Sequence, residues 1–398
     1  MPADDRADPP GPVGQVDALA VPRFAGLRTF ARLPTLQDVS RADVAVLGAP
    51  FDSAATFRTG ARFGPAAIRE ASLLLRPYND ALAVAPFARA QIADAGDAPA
   101  SPIGVEPGHA SIEAAARALT ERGTRVVGLG GDHSVTLPLL RAAAARHGRL
   151  CLLQLDAHTD TWDSYFGARY THGTVFRRAL EEGLIDPHRS VQIGLRGSLY
   201  GAEDLEDNRA LGFATLMARD FDRVGVTGAL ELARRRLRSP TYVTVDIDVL
   251  DPAFAPGTGT PEAGGLTSRE LLALLRGLAE LGVRLAGADV VEVSPPYDPS
   301  GVTAVAGANA AFELVSLLAL ENAATLRADD QEVDVTEYDH GRSHEHGHTH
   351  GDVTHAHPHT SHEHDHTDHE HEHAHGDVTH SHPHTHAEGE EHDHEHSH

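Results

Sequence analysis

The run LCLLQLDAHTD, residues 150–160, limits what this chain can become more than any other stretch. Leu150 to Leu155 is continuously apolar apart from Gln154, the pattern of a strand buried on both faces. Asp156, His158 and Asp160 follow at once, one every second residue. On extended backbone alternate side chains share a face. A single D-x-H-x-D could be an ordinary polar loop, but the device recurs. Residues 126–129 run into GGDHS and deliver His133; residues 241–245 run into Asp246 and Asp248. Three apolar strands that each end in His or Asp point to a cation held where the strands end.

The rest of the chain supplies the frame for that reading. Further strands are predicted over 43–47, 91–96, 190–195, 212–216 and 284–291. Helices are predicted over 66–75 behind Pro65, 110–122, 135–146, 176–182, 228–237 and about 303–326. Thr267 caps another, to 281, with Glu270 at capping-box spacing. Strands alternating with helices predict an α/β protein with a parallel sheet covered on both faces. Ligands of such sheets sit beyond the carboxyl ends of the strands. Gly130 and Gly131 allow a tight turn before His133.

Composition divides the chain. Only six of the 29 His precede residue 330, and 23 lie in 340–398. From Asp329 onward there are 19 Asp or Glu against one Arg, most of the net charge of −25. The expected organisation is a flexible segment 1–30, a catalytic body 31–328 and a disordered His/Asp/Glu-rich tail 329–398. HGDVTHAHPHT at 350–360 recurs as HGDVTHSHPHT at 375–385. Neutral imidazoles at this density bind Ni, Zn, Cu or Co, so extra divalent metals and a metallochaperone are expected partners. The bland alternative is a solubilising acidic tail. The chain has no basic patch for nucleic acid and no signal-like start, and it reads as having no 18-residue apolar span for a membrane. Cys151 is the only cysteine, which excludes an intramolecular disulfide and fits a cytoplasmic location.

Carboxylate with imidazole suits Mn, Zn, Fe, Ni or Co. Six ligands, four of them Asp, exceed the four of a structural zinc site and suit two bridged cations roughly 3.5–4 Å apart. GGDHS, DAHTD and DIDVLDPAFAPGTGTPEAGG resemble the signatures of the ureohydrolases, arginase and agmatinase among them, over about residues 40–326. The resemblance implies a three-layer α/β/α sandwich with a mainly parallel sheet of about eight strands. It implies one metal on His133, Asp156, Asp160 and Asp246, and a second on Asp156, His158, Asp246 and Asp248. It implies manganese, with nickel as the alternative, and a homo-oligomer, trimer or hexamer. It implies that His172 moves protons, that Glu292 pairs with the substrate guanidinium and that Asp160 helps stabilise the intermediate.

PGTGTP and VVEVSPPYD look closer to agmatinases and guanidino-acid hydrolases than to arginases. The first reading is agmatine cleaved to putrescine and urea. The alternatives are guanidinobutyrate, guanidinopropionate or free guanidine, or a metal-storage protein on an enzyme scaffold. A single-zinc deacetylase-type hydrolase fits the paired motifs least. An ammonium tail would want Glu262 or Asp163; a carboxylate tail would want Arg196, Arg58 or Arg169. Phe57 and Arg62 share the Arg58 loop, and Trp162 either narrows the pocket or packs.

Overall fold

The computed structural model describes residues 11–330, 344–350, 353–359, 368–375 and 378–385. Among the described residues of the body, eight strands alternate with nine α-helices. In chain order these are β1 (Val44–Ala49), α1 (Gly64–Ser72), α2 (Pro86–Arg89), β2 (Ile92–Asp97), α3 (Val105–Thr120), β3 (Arg125–Gly130), α4 (Thr136–His147), β4 (Cys151–Leu155), α5 (Val175–Glu181), β5 (Val191–Leu195), α6 (Glu203–Ala210), β6 (Ala214–Met217), α7 (Ala218–Arg236), β7 (Thr241–Asp246), α8 (Ser268–Gly277), β8 (Leu285–Val291) and α9 (Val302–Asp330). The strands form one sheet in the order β2-β1-β3-β8-β7-β4-β5-β6, parallel throughout. Apolar side chains of α1, α7, α8 and α9 cover one face; those of α3, α4 and α5 cover the other. This is the three-layer sandwich that the alternating elements require.

The sheet register positions the site. Leu129, Val290, Val245 and Leu155 align in one row across β3, β8, β7 and β4. Each is fully buried, and the polar residues of the motifs begin within four residues beyond that row. Cys151 is buried in β4, and burial pushes its thiol up, as an inert core residue requires.

Several elements depart from the sequence reading, among them α2, which carries no expectation, and α3, which begins at Val105. The helix expected over 228–237 begins ten residues earlier, at Ala218, and is interrupted at Gly225, whose φ of 61° and ψ of −168° break the helical path. Helix α6 was not foreseen: EDLEDNRA has no apolar stripe, and its signal is the acidic first turn of Glu203, Asp204 and Glu206, which complements a helix N-terminus. Helix α9 belongs to a stretch, Pro299–Glu321, long and apolar enough to cross a membrane, contrary to the expectation that no such span exists; most of it is buried against the sheet and α1, so its apolarity serves the core.

Of the segment expected to be flexible, residues 1–10 lie outside the described residues. Val13 N donates to Gln91 Oε1 and Val16 N to Arg32 O, which ties the following residues to the body. The chain divides into two compact units, Met1–Asp330 and Gln331–His398. In the second unit, β9 (His344–His350) pairs antiparallel with β10 (Val353–His359), and β11 (Asp368–His375) with β12 (Val378–Thr385). Each pair is a two-stranded sheet of its own. For the rest of the tail, the expectation of disorder falls outside the described residues.

Candidate metal centre and active site

His133 opens a short 3-10 turn directly after β3. Asp132 caps that turn by accepting a hydrogen bond from Ser134 N. The His133 ring is fully buried, edge-on to Phe176 at 5.2 Å. Its Nε2 lies 3.0 Å from Thr244 Oγ1 on β7. Its Nδ1 lies 3.1 Å from Asp156 Oδ2, 3.0 Å from Asp160 Oδ2 and 3.1 Å from Asp246 Oδ2, yet it makes no hydrogen bond. A buried nitrogen facing three carboxylate oxygens without a hydrogen bond has the geometry of a ligand lone pair. With Nε2–H donating to Thr244 Oγ1, that lone pair stays on Nδ1, so the Thr244 contact is compatible with ligation through Nδ1.

A second group adjoins the first. His158 Nδ1 is 3.0 Å from Asp248 Oδ2 and 3.6 Å from Asp156 Oδ1. Asp156 thus presents one oxygen to each imidazole. The candidate ligand atoms of His133, Asp156 and Asp160, and those of Asp156, His158 and Asp248, lie within 4.8 Å of one another in each set. The carboxylates are held by outer partners. Asp156 accepts from His158 N and Gln154 Nε2, Asp248 from Ala157 N, and Asp246 from Asp248 N. Asp246 meets the His133 group through its other oxygen. The donor set, oxygen and imidazole nitrogen with no thiolate, fits hard to borderline divalent ions.

The electrostatics agree. Burial and the neighbouring Asp156 charge push Asp160 up to about 6. Burial, Asp248 and Asp156 push Asp246 well above the carboxylate range. Burial would lower His133 and His158, but the surrounding carboxylates raise both well above their ordinary value. Burial would raise Asp156, but its contacts with both imidazoles hold it below its ordinary value. Four carboxylates at this separation call for positive charge, which a divalent ion would supply.

Beside the cluster, Glu292 follows β8 in a left-handed conformation, φ 64°, and Asp160 has φ 51°. Non-glycine residues rarely adopt this conformation, and such strain concentrates at working sites. Glu292 N donates to Gly131 O, and Glu292 Oε1 accepts from His133 N at 2.9 Å and faces His172 Nδ1 at 3.1 Å. His172 Nε2 lies 2.7 Å from Thr56 Oγ1 on the loop after β1. Burial would lower His172, but Glu292 outweighs it and raises the ring to about 9. Gly131 is needed because a Cβ there would lie 1.8 Å from Phe51 O of the loop after β1.

The structure brings His133, Asp156, His158, Asp160, Asp246, Asp248, His172 and Glu292 together. It treats the other candidates differently. Arg196 is a correction to the sequence reading. Its guanidinium donates to the carbonyls of Gly194, Asp248, Val249, Leu250 and Glu262, so it clamps loops and offers no open fork. Arg169 pairs with Glu181, and Asp163 pairs with Arg178. Arg62 is bound to Asp52. The Glu262 carboxylate abuts Gly197. Arg58 stacks over Phe57 and Tyr297, and among the described residues it has no carboxylate or carbonyl partner. A Cβ on Gly259 would meet Arg58 O at 3.1 Å and Glu292 Oε2 at 3.2 Å, which sets the Arg58 loop beside Glu292. Trp162 packs: it lies 4.8 Å from the Tyr165 ring and 5.7 Å from Tyr200, and its Nε1 donates to Asp204. Thr56 and Thr244 escaped the sequence reading: Thr56 carries no motif of its own in the loop after β1, and Thr244 reads as one more strand residue.

Residues 42–316 match the sequence profile of the arginase family. A guanidinopropionase from Pseudomonas aeruginosa is 49% identical over 306 residues, covering 76% of this chain and 95% of that protein. A guanidinobutyrase from the same organism is 42% identical over 302 residues, covering 75% and 94%. Among solved structures, the proclavaminate amidino hydrolase of Streptomyces clavuligerus aligns with a TM-score of 0.70 at 42% identity, covering 75% of this chain and 99% of that one.

Proposed function

The chain belongs to the arginase family and is a hydrolase of guanidino C–N bonds; from that premise we propose that it works with two divalent ions and cleaves a short guanidino acid to urea and an amino acid. The observation that carries the two-ion reading is Asp156, one oxygen toward each of two His-anchored groups. His133, Asp156, Asp160 and Asp246 would hold one ion; Asp156, His158, Asp246 and Asp248 the other. Mn2+ suits this oxygen-rich donor set best, with Ni2+ as the alternative. When bound, such ions acidify water and so supply a nucleophile near neutral pH.

The chain's own residues do the rest. Glu292 receives the substrate guanidinium in a charge-assisted pair, with Oε1 already held by His133 N. His172, bonded through Nδ1 to Glu292, whose charge raises the ring's affinity for a proton, hands a proton to the departing amine nitrogen. Asp160 keeps the positive charge of the guanidinium-derived intermediate favourable. Arg58 receives the substrate carboxylate, because among the described residues it alone of the three candidate arginines lacks a carboxylate or carbonyl partner. That consideration, with the names of the two similar Pseudomonas proteins, moves agmatine from first reading to second.

Urea release from guanidinopropionate, guanidinobutyrate, agmatine, arginine and guanidine, each with Mn2+ and with Ni2+, tests this. A guanidino acid should be the fastest substrate, and Arg58→Ala should raise its KM about tenfold or more while leaving agmatine little changed. Faster turnover of agmatine by the parent chain would overturn the substrate reading and leave the two-ion reading standing.

A further inference from the structure

The tail's strands carry His at every second position, which is the period of a β-strand. The register turns that period into a pattern. In the first hairpin His344 pairs with His359, His346 with His357 and His348 with His355. In the second, His369 pairs with His384, His371 with His382 and His373 with His380. Residues two apart share a strand face, so each hairpin gathers three facing His pairs on one side. The positions between them pair Glu345 with Pro358, Gly347 with Ala356 and Thr349 with Thr354; in the second hairpin they hold Asp, Glu, Ala, Thr, Ser and Pro.

Two details show that this alternation is consistent with pairing. The two residues between the strands are Gly-Asp in both copies, a dipeptide that two-residue hairpin loops favour. Counting from such a loop, the His pairs fall on hydrogen-bonded positions and Pro358 and Pro383 on the positions between, where a missing N–H costs no ladder bond.

In sequence, neither set of alternate positions in these hairpins makes an apolar face. A lone two-stranded hairpin is marginal in water even with one. Facing residues have Cβ atoms about 4.5–5.5 Å apart, and a divalent ion draws imidazole nitrogens to about 2.0–2.1 Å from itself. We propose that each face of three cross-strand His pairs is a binding site for divalent transition ions such as Ni2+ or Zn2+, and that ion binding and strand pairing are one coupled equilibrium. The chemistry is that of imidazole ligands, whose binding to metal adds folding free energy to a segment that lacks its own. It does not depend on the reading of the catalytic site.

The test keeps the full chain and its composition and breaks only the facing. In the exchange variant, T354H/H355T/A356H/H357A and T379H/H380T/S381H/H382S move two His of each hairpin onto the opposite face, with both prolines in place. Both chains are titrated with Ni2+ and with Zn2+ by calorimetry, and far-UV circular dichroism is followed during loading. Urea release with saturating active-site metal should be equal in the two, which reports an intact body. The parent should gain β-sheet signal as the tail fills, and the exchange variant should bind the tail ions at least about tenfold more weakly, without that signal. Equal ion number and affinity in the two chains, or tight binding by the parent with no strand signal, would overturn the proposal.

Discussion

The body and the tail are both built to offer carboxylate and imidazole, but they arrive at it by opposite routes. In the body, two His and four Asp come from three segments far apart in the chain, and the aligned row of Leu129, Val290, Val245 and Leu155 carries them to one place. Several are then fixed by an outer partner, such as Thr244 behind His133 or Gln154 behind Asp156. In the tail, His stands opposite His because a period of two in the sequence meets a period of two in the strand. The difference teaches where sensitivity should lie. A converging site has no spare member, whereas a repeated local site has several equivalent ones.

The largest effect should follow from the residue both body groups share. Asp156→Asn removes charge from each at once, and urea release should fall by at least about 10²–10³-fold with loss of tightly bound ions. Elemental analysis with steady-state rates checks it; full activity with intact metal would erase the contrast with the tail.

The second prediction concerns pH and belongs to the body alone. His109 on α3 is 3% exposed, with Nε2 2.9 Å from Ser134 Oγ. Burial, aided by the Arg141 charge, lowers it from 6.5 to about 4. The unfolded chain takes up this proton before the folded one does. The stability tied to neutral His109 is therefore complete above about pH 6.5 and is lost as pH falls toward 4, up to about 3 kcal/mol. Chemical denaturation across that window should show the slope, and His109→Gln should flatten it. An unchanged slope would mean that other groups dominate.

Thr244→Val tests whether an outer partner matters where the ligands converge. Its methyl groups suit a buried strand, but His133 loses its Nε2 contact. Affinity for the body's ions should weaken about 10–100-fold with unchanged thermal unfolding, as read by competition with a chelator. The smallest effect should come from the tail. His348→Ala should remove at most one weak ion and leave the body's stability within about 0.5 kcal/mol by calorimetric scanning. A loss of tail binding altogether would show that the tail, too, depends on single residues.

The strands were legible because a strand buried on both faces must be largely apolar, as β1, β3, β4, β5, β7 and β8 are; β2 carries Asp94 and Asp97, and β6 is only partly buried. The ligands were legible because they stand directly after those strands in recurrent motifs. Helix α6 was not, since a helix with one buried side chain, Asn208, leaves no apolar period to read. The fate of Arg196 was not legible either. Five carbonyl acceptors lie around its guanidinium, and three of them belong to the loop after β7.

The amino-acid order alone determined which segments are strands, which side chains end them and that the tail repeats a His-bearing unit, because periodicity and polarity are local properties of a chain. Only the fold decided how the two Asp156 oxygens divide between His133 and His158, that His172 rests between Glu292 and Thr56, and that Arg58 among the candidate arginines has no carboxylate or carbonyl partner among the described residues. Those outcomes depend on which distant residue arrives within hydrogen-bonding reach, and in a close-packed interior no short stretch of chain carries that information.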